Sequence, residues 1–341
     1  MPVAVPSCRW PALRIVGYRE NKSTITKAVT MSSMLSRMVR SVTAAITCTA
    51  LMALGACSGG SGGASASSSG PSDGPIAVTA SINQWGLLAR QIGGDQVNVD
   101  SILGSTNVDA HDFEPQTSDI AKISKSDILV VNGAGYDEWA VKAAAGSVTT
   151  VNAAEAVGAA DGDNPHLWFS KDARKAMARE LCEAFAKERP AKKDYFDSRL
   201  STWSKSESEL ERTMDTFASK HPKATYAATE SVAYYLMSDL RLTDVTPKAY
   251  LQATANESEP APADVQRFQS LLEGRKVSLL VNNTQEASDM TNLITGTAHK
   301  SDVPVIDVSE QVPEGQTSLV SWMNSLISSC EQALESSETA E

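Results

Sequence analysis

Four histidines occur in the 341-residue sequence, at positions 111, 166, 221 and 299, and their surroundings separate them into two kinds. His111 lies in NVDAHDFEPQTSDI and His166 in DGDNPHLWFS, both in stretches that read as loops feeding helices. His221, in SKHPK, and His299, in TAHKS, have polar neighbours and read as surface. The second half of the chain offers acids at comparable strand-to-helix junctions: Glu230 in YAATESVAYY and Glu286 in VNNTQEASDM. Such junctions open at the carboxyl edge of an α/β sheet, where ligands collect. Two imidazoles and two carboxylates, two from each half, form a suitable ligand set for a divalent transition metal. The chain has no CxxC, no HExxH and no ligand pair within one helical turn. Any such site must therefore be assembled by the fold from distant positions. Each residue also has a plain structural use: His166 as a helix cap, Glu230 as an acid favoured by the dipole at a helix head.

The elements that would carry these residues are readable from periodicity. PIAVTASINQWGLLARQIGGDQVNVDSIL (75–103) reads as strand, helix, Gly-Gly turn and strand, with Trp85, Leu88, Ala89 and Ile92 at helical spacing. A helix over 118–124 and strands over 127–133 and 147–153 continue the alternation. NGAG (132–135) is a turn, and Trp139 reads as packing for the first half. Ala176, Met177, Leu181, Phe185 and Ala186 predict an amphipathic helix stopped by Pro190. From 191 to 220 there is neither Pro nor Gly, and Tyr195, Leu200, Trp203, Leu210 and Met214 share a face. Thirty such residues predict one helix of about 45 Å. Strands at 223–228, 276–283 and 303–308 then alternate with helices over 231–240, 264–272, 289–298 and 318–334. Short apolar strands between helices indicate mainly parallel sheets covered on both faces. The expected fold is α/β: two lobes (76–190 and 221–341) joined by one long backbone helix (191–220).

The ends and the charge restrict function further. Residues 41–57, SVTAAITCTALMALGAC, follow Arg37 and Arg40 and form an apolar run ending in small residues, the pattern of a secretory signal. Leu54-Gly55-Ala56-Cys57 resembles a bacterial lipobox, which makes Cys57 the lipidated residue and 1–56 the leader, with a true start at Met31, Met34 or Met38. Residues 58–75 contain no large apolar side chain, so 57–75 is expected to be an acylated, disordered tether. Its reach is roughly 24 Å for a Gly/Ser coil. Removing a leader with seven Lys/Arg and one Asp/Glu takes the net charge from −11 to −17. That argues against nucleic acid as a partner and is compatible with a cation as ligand. Cys182 and Cys330 are the two cysteines of the body, expected as buried thiols, with a disulfide between them left open.

DAHDFEPQTSDIAKISKSDILVVNGAGYDEWA with NPHLWFS, then ATESVAYYL and ANESEPAPADV, resemble the substrate-binding lipoproteins of zinc and manganese ABC importers. The similarity runs from about 76 to 335. It implies two α/β lobes on a long helix with the metal enclosed between them, and ligands at His111, His166, Glu230 and Glu286. At the fourth position Gln285 and Asp289 compete with Glu286. Zinc-type members often carry a histidine-rich acidic loop before the second histidine. Here 154–163, AEAVGAADGD, is acidic without histidine.

The expected function is capture of Zn²⁺ or Mn²⁺ outside the cell and delivery to an ABC permease. The expected protein is a monomer, not an enzyme, anchored by its lipid to the outer face of the bacterial cytoplasmic membrane. Two rivals remain at this stage. One is an exported zinc hydrolase using three ligands, a metal-bound water and Glu286 or Asp289 as general base. The other is an adhesin built on the same lobes.

Overall fold

The computed structural model describes residues 74–108, 113–144, 146, 148–256 and 258–338. Cys57 and His111 lie outside the described residues. The first lobe runs β1 (Ile76–Ile82), α1 (Asn83–Gly93), β2 (Val97–Leu103), α2 (Thr117–Ser124), β3 (Ile128–Val131), α3 (Glu138–Ala143), β4 (Thr149–Asn152), α4 (Ala153–Val157) and α5 (Lys171–Glu188). After the long helix α6 (Lys193–Lys220) come β5 (Thr225–Ala228), α7 (Tyr234–Asp239), β6 (Thr243–Asp244), α8 (Lys248–Ala255), α9 (Pro262–Glu273), β7 (Leu279–Asn283), α10 (Asp289–Lys300), β8 (Val305–Val308) and α11 (Leu319–Glu338).

Each lobe holds a four-stranded sheet, ordered β2-β1-β3-β4 and β6-β5-β7-β8, and all the pairings are parallel. Neighbouring side chains on a strand point to opposite faces. In β3, Ile128 and Val130 enter the large core while Leu129 and Val131 enter a smaller cluster with Ile123 and Ala140. In β7, Leu279 and Val281 join the large core and Leu280 joins Phe268, Leu272 and Ile294. Both faces of both sheets are therefore covered, which is why these strands read as unbroken apolar runs.

The linking helix is 28 residues, about 42 Å long. Its buried stripe is Phe196, Trp203, Glu207, Leu210, Met214 and Phe217. Tyr195 and Leu200 flank it half-buried. The helix begins two residues later than the sequence predicts, because Pro190–Lys192 forms a 3-10 turn first. It packs against α1 and α5 of the first lobe and α11 of the second. Glu207, in the middle of the stripe, meets Arg174 of α5: Arg174 Nε donates to Glu207 Oε1 at 3.1 Å and Nη2 to the same oxygen at 2.6 Å. Arg174 Nη1 donates to the carbonyls of Trp168 (3.1 Å) and Phe169 (3.0 Å), so the pair is both charged and hydrogen-bonded.

The helix expected over 231–240 is the shorter α7, while α3, α4, α8 and β6 are not resolved by periodicity, since two to eight residues hold too few repeats. Cys182 and Cys330 are free and buried; burial pushes the first thiol up to about 11 and the second to about 12. No described helix is long and apolar enough to cross a membrane.

Candidate metal site

The NPH segment is built on the floor of the first lobe. β3 ends in the Asn132–Gly135 turn, where Gly133 (φ 74°) has Asn152 Oδ1 so close that a Cβ would lie 2.4 Å from it. Asp137 closes this turn by accepting from the N–H groups of Asn132 (2.7 Å) and Gly133 (2.8 Å). Asn132 is thereby fixed with Oδ1 accepting from Trp85 Nε1 (3.0 Å) and Nδ2 donating to the Pro165 carbonyl (2.8 Å). Arg174 holds the Trp168 and Phe169 carbonyls on the other side. His166 sits between these supports, 2 % exposed, with Trp168 edge-on at 5.4 Å.

The hydrogen bonds also fix its tautomer. Asn164 Nδ2 donates to the Ser231 carbonyl at 2.7 Å, and Asn164 Oδ1 accepts the His166 backbone N–H at 3.0 Å. The amide orientation is thus set, and His166 Nδ1, 2.9 Å from that oxygen, must be the donor. A neutral ring protonated on Nδ1 presents Nε2 as the ligand-type nitrogen.

His166 Nε2 faces two carboxylates of the second lobe: Glu230 Oε1 at 3.8 Å and Glu310 Oε2 at 3.9 Å. One ligand atom from each of the three residues lies within 4.8 Å of the others, and all three residues are buried. Asn283 Nδ2 donates to Glu230 Oε2 (2.6 Å) and Glu310 Oε1 (3.3 Å), and the Tyr136 hydroxyl donates to Glu310 Oε2 (2.6 Å). Burial, reinforced by Glu310, pushes the Tyr136 phenol well above its ordinary value and keeps it a donor. Metal–ligand bonds of about 2.0–2.2 Å put tetrahedral ligand atoms roughly 3.4 Å apart. His166 Nε2 needs to approach each carboxylate by only about half an ångström to reach that spacing.

Of the residues singled out from the sequence, the structure brings His166 and Glu230 together. Glu286 is not among the three convergent groups of the described residues; it is half-buried in the β7–α10 loop, with its carbonyl accepting from Thr291 Oγ1 at 3.1 Å. The Glu286 carboxylate lies near Tyr250, whose phenol is raised first by burial and then by Glu230 and Glu286. Asp289 opens α10, exposed. Gln285 turns towards the site, yet as a clamp: Oε1 accepts the N–H groups of Glu310 (2.7 Å) and Gln311 (3.1 Å), while Nε2 donates to the Val108 carbonyl (3.0 Å). The acid that joins the group is Glu310, just past β8. No helix starts there, so the junction rule passed over it. His221 departs from the surface reading by packing its ring on Phe217 at 4.9 Å; His299 is exposed. Trp139 packs against Phe113 at 5.0 Å, within the first lobe.

The family model described as zinc-uptake complex component A, periplasmic, matches residues 78–333. The chain belongs to this family. Among members of the zinc-uptake component family, it is 22 % identical over 213 residues to the high-affinity zinc uptake system protein ZnuA of Bacillus subtilis. That match spans 56 % of this chain and 65 % of the relative, slightly under two thirds of its length. It is also 22 % identical over 263 residues to the manganese ABC transporter substrate-binding lipoprotein PsaA of Streptococcus pneumoniae, covering 69 % and 82 %. In structure it matches the laminin-binding protein Lmb of Streptococcus agalactiae with a TM-score of 0.65 at 18 % identity, covering 76 % of this chain and 99 % of that one. Lmb is described as bifunctional, with adhesin and metal-transporting activity.

Proposed function

We propose that this protein captures a divalent transition metal, Zn²⁺ or Mn²⁺, between its lobes and delivers it to an ABC permease. The observation that carries the reading is the convergence of His166 with Glu230 and Glu310, an imidazole from one lobe and two carboxylates from the other, on one buried point. We assign His166, Glu230 and Glu310 as ligands, with Glu310 in the role expected of Glu286. His111 is the proposed fourth, three residues beyond Val108, whose carbonyl Gln285 holds. Lobes at 76–190 and 221–341 on a 191–220 connector then work as a clamp with a stiff spine.

Four protein ligands saturate a tetrahedral ion and leave no position for an activated water, which favours carriage over hydrolysis. The relatives named for zinc and manganese uptake support the same reading. An exported, monomeric protein tethered through an acylated Cys57 to the outer face of the cytoplasmic membrane completes it.

The test is competition of apo-protein against a chelator of known affinity. Zn²⁺ should bind more tightly than Mn²⁺ whichever ion is carried, since the Irving–Williams order favours Zn²⁺ at most N/O sites. Glu230→His, exchanging a hard oxygen for an imidazole, should widen that gap. A wild-type protein that binds neither ion would end the proposal.

A further inference from the structure

We infer that Asn164 is a latch coupling closure of the lobes to the grip of His166, so that opening the lobes weakens the imidazole as a metal ligand. The inference rests on the metal-capture reading and adds a release device to it.

One carboxamide makes both connections. Its Oδ1 accepts from His166 Nδ1 (2.9 Å) and from the His166 N–H (3.0 Å), within the first lobe. Its Nδ2 crosses to the second lobe, donating to the Ser231 carbonyl at 2.7 Å and lying 3.2 Å from Ser231 Oγ. Ser231 directly follows Glu230. The Asn164 carbonyl accepts from the Tyr235 hydroxyl at 2.9 Å, a second crossing to the same lobe. The amide is planar, so its oxygen and nitrogen turn together. Held at Ser231, the group keeps Oδ1 on the imidazole; with Ser231 withdrawn, its nitrogen end is released and only the contacts to His166 itself restrain its rotation. A ligating histidine depends on the partner of its other nitrogen for orientation and basicity, and losing that partner commonly costs 10–100-fold in metal affinity. A permease that parts the lobes would thereby loosen a ligand without protonating it.

Asn164→Asp separates the two connections: it keeps an acceptor for His166 Nδ1 and replaces the donor to Ser231 with an oxygen facing a carbonyl. Asn164→Leu removes both, and Tyr235→Phe removes only the second crossing. Zn²⁺ release from each full-length protein is followed by stopped-flow capture with a chelator, equilibrium affinity by competition, and the His166 tautomer by nitrogen NMR. Asn164→Asp should release Zn²⁺ at least tenfold faster with the Nδ1-protonated tautomer retained. Asn164→Leu should lose about 10–100-fold in affinity together with the fixed tautomer, and Tyr235→Phe should release a few-fold faster. Release from Asn164→Asp and Tyr235→Phe at the wild-type rate overturns the latch, whether or not the leucine variant folds. Absence of Zn²⁺ and Mn²⁺ binding by the wild type counts against metal capture itself.

Discussion

In the first lobe, β1 runs directly into the eleven-residue α1, and β2 returns over seven residues. In the second, the same place in the strand order holds four-residue β5, six-residue α7 and two-residue β6, with residues 229–233 left between strand and helix. The two junctions have diverged in use. After β5 the irregular stretch carries Glu230 into the site. After β1 the regular helix start carries Asn83 and Gln84 outward to the other lobe: Gln84 Nε2 donates to the Glu310 carbonyl (2.7 Å), and Asn83 both donates to and accepts from Val312 (3.2 and 3.1 Å). One junction supplies a ligand, and its counterpart clasps the loop that presents another. The outermost strands tell the complementary story, since β4 leads on to His166 and β8 to Glu310. The repeat preserves where a ligand arises and changes what chemistry it brings.

The strongest way to break this comparison is to exchange the acids under suspicion. Glu310→Ala should cost at least about a hundredfold in Zn²⁺ affinity, near 3 kcal/mol, whereas Glu286→Ala should stay within about threefold, below 1 kcal/mol. Calorimetric titration decides between them, and the opposite ranking would return the second carboxylate's place to the β7–α10 loop.

The spine shared by the lobes can be broken next. Glu207→Leu leaves the Arg174 guanidinium buried without its carboxylate, a change that typically costs about 3–5 kcal/mol. Denaturant unfolding should register it, and the Arg174→Met/Glu207→Leu pair should recover much of the loss.

Proton competition gives a broader, smaller effect. Imidazole and carboxylates ligate only when deprotonated. Free imidazoles titrate near pH 6.5, so affinity should be flat above about pH 7 and fall progressively as pH drops towards 5. A flat profile over the whole range would remove histidine from the site.

The mildest change sharpens the comparison further. Gln285→Met keeps volume but removes the hydrogen bonds to Glu310, Gln311 and Val108. At about 0.5–1.5 kcal/mol for a typical hydrogen bond, metal affinity should drop several-fold with the fold intact by circular dichroism.

Much of this arrangement was legible in the sequence for reasons that can be named. Continuous apolar strands betray sheets buried on both faces, and thirty residues free of Pro and Gly betray the long helix. His166 and Glu230 stood out because rare or acidic residues fell beside clear element boundaries. Glu310 did not, because VSEQVPEGQ leads into no immediate helix and an acid in such a loop resembles solvent-facing charge. The usable signal was the internal repeat: the strand corresponding to β4 is β8, so the counterpart of His166 had to be sought after Val308. Gln285, held open as a ligand, proved a clamp, since a carboxamide that both accepts and donates suits backbone better than a cation.

The buried stripe of α6 has one further consequence, which concerns spacing along its axis. Apolar residues recur on that face at intervals of three, four and seven, so a helix displaced by one 5.4 Å turn would still find greasy partners. Glu207 forbids the displacement, because a shifted carboxylate and guanidinium would each be stranded in the core. The pair acts as the index mark on a ruler. It fixes, to a fraction of a turn, where the linking helix is seated against the first lobe.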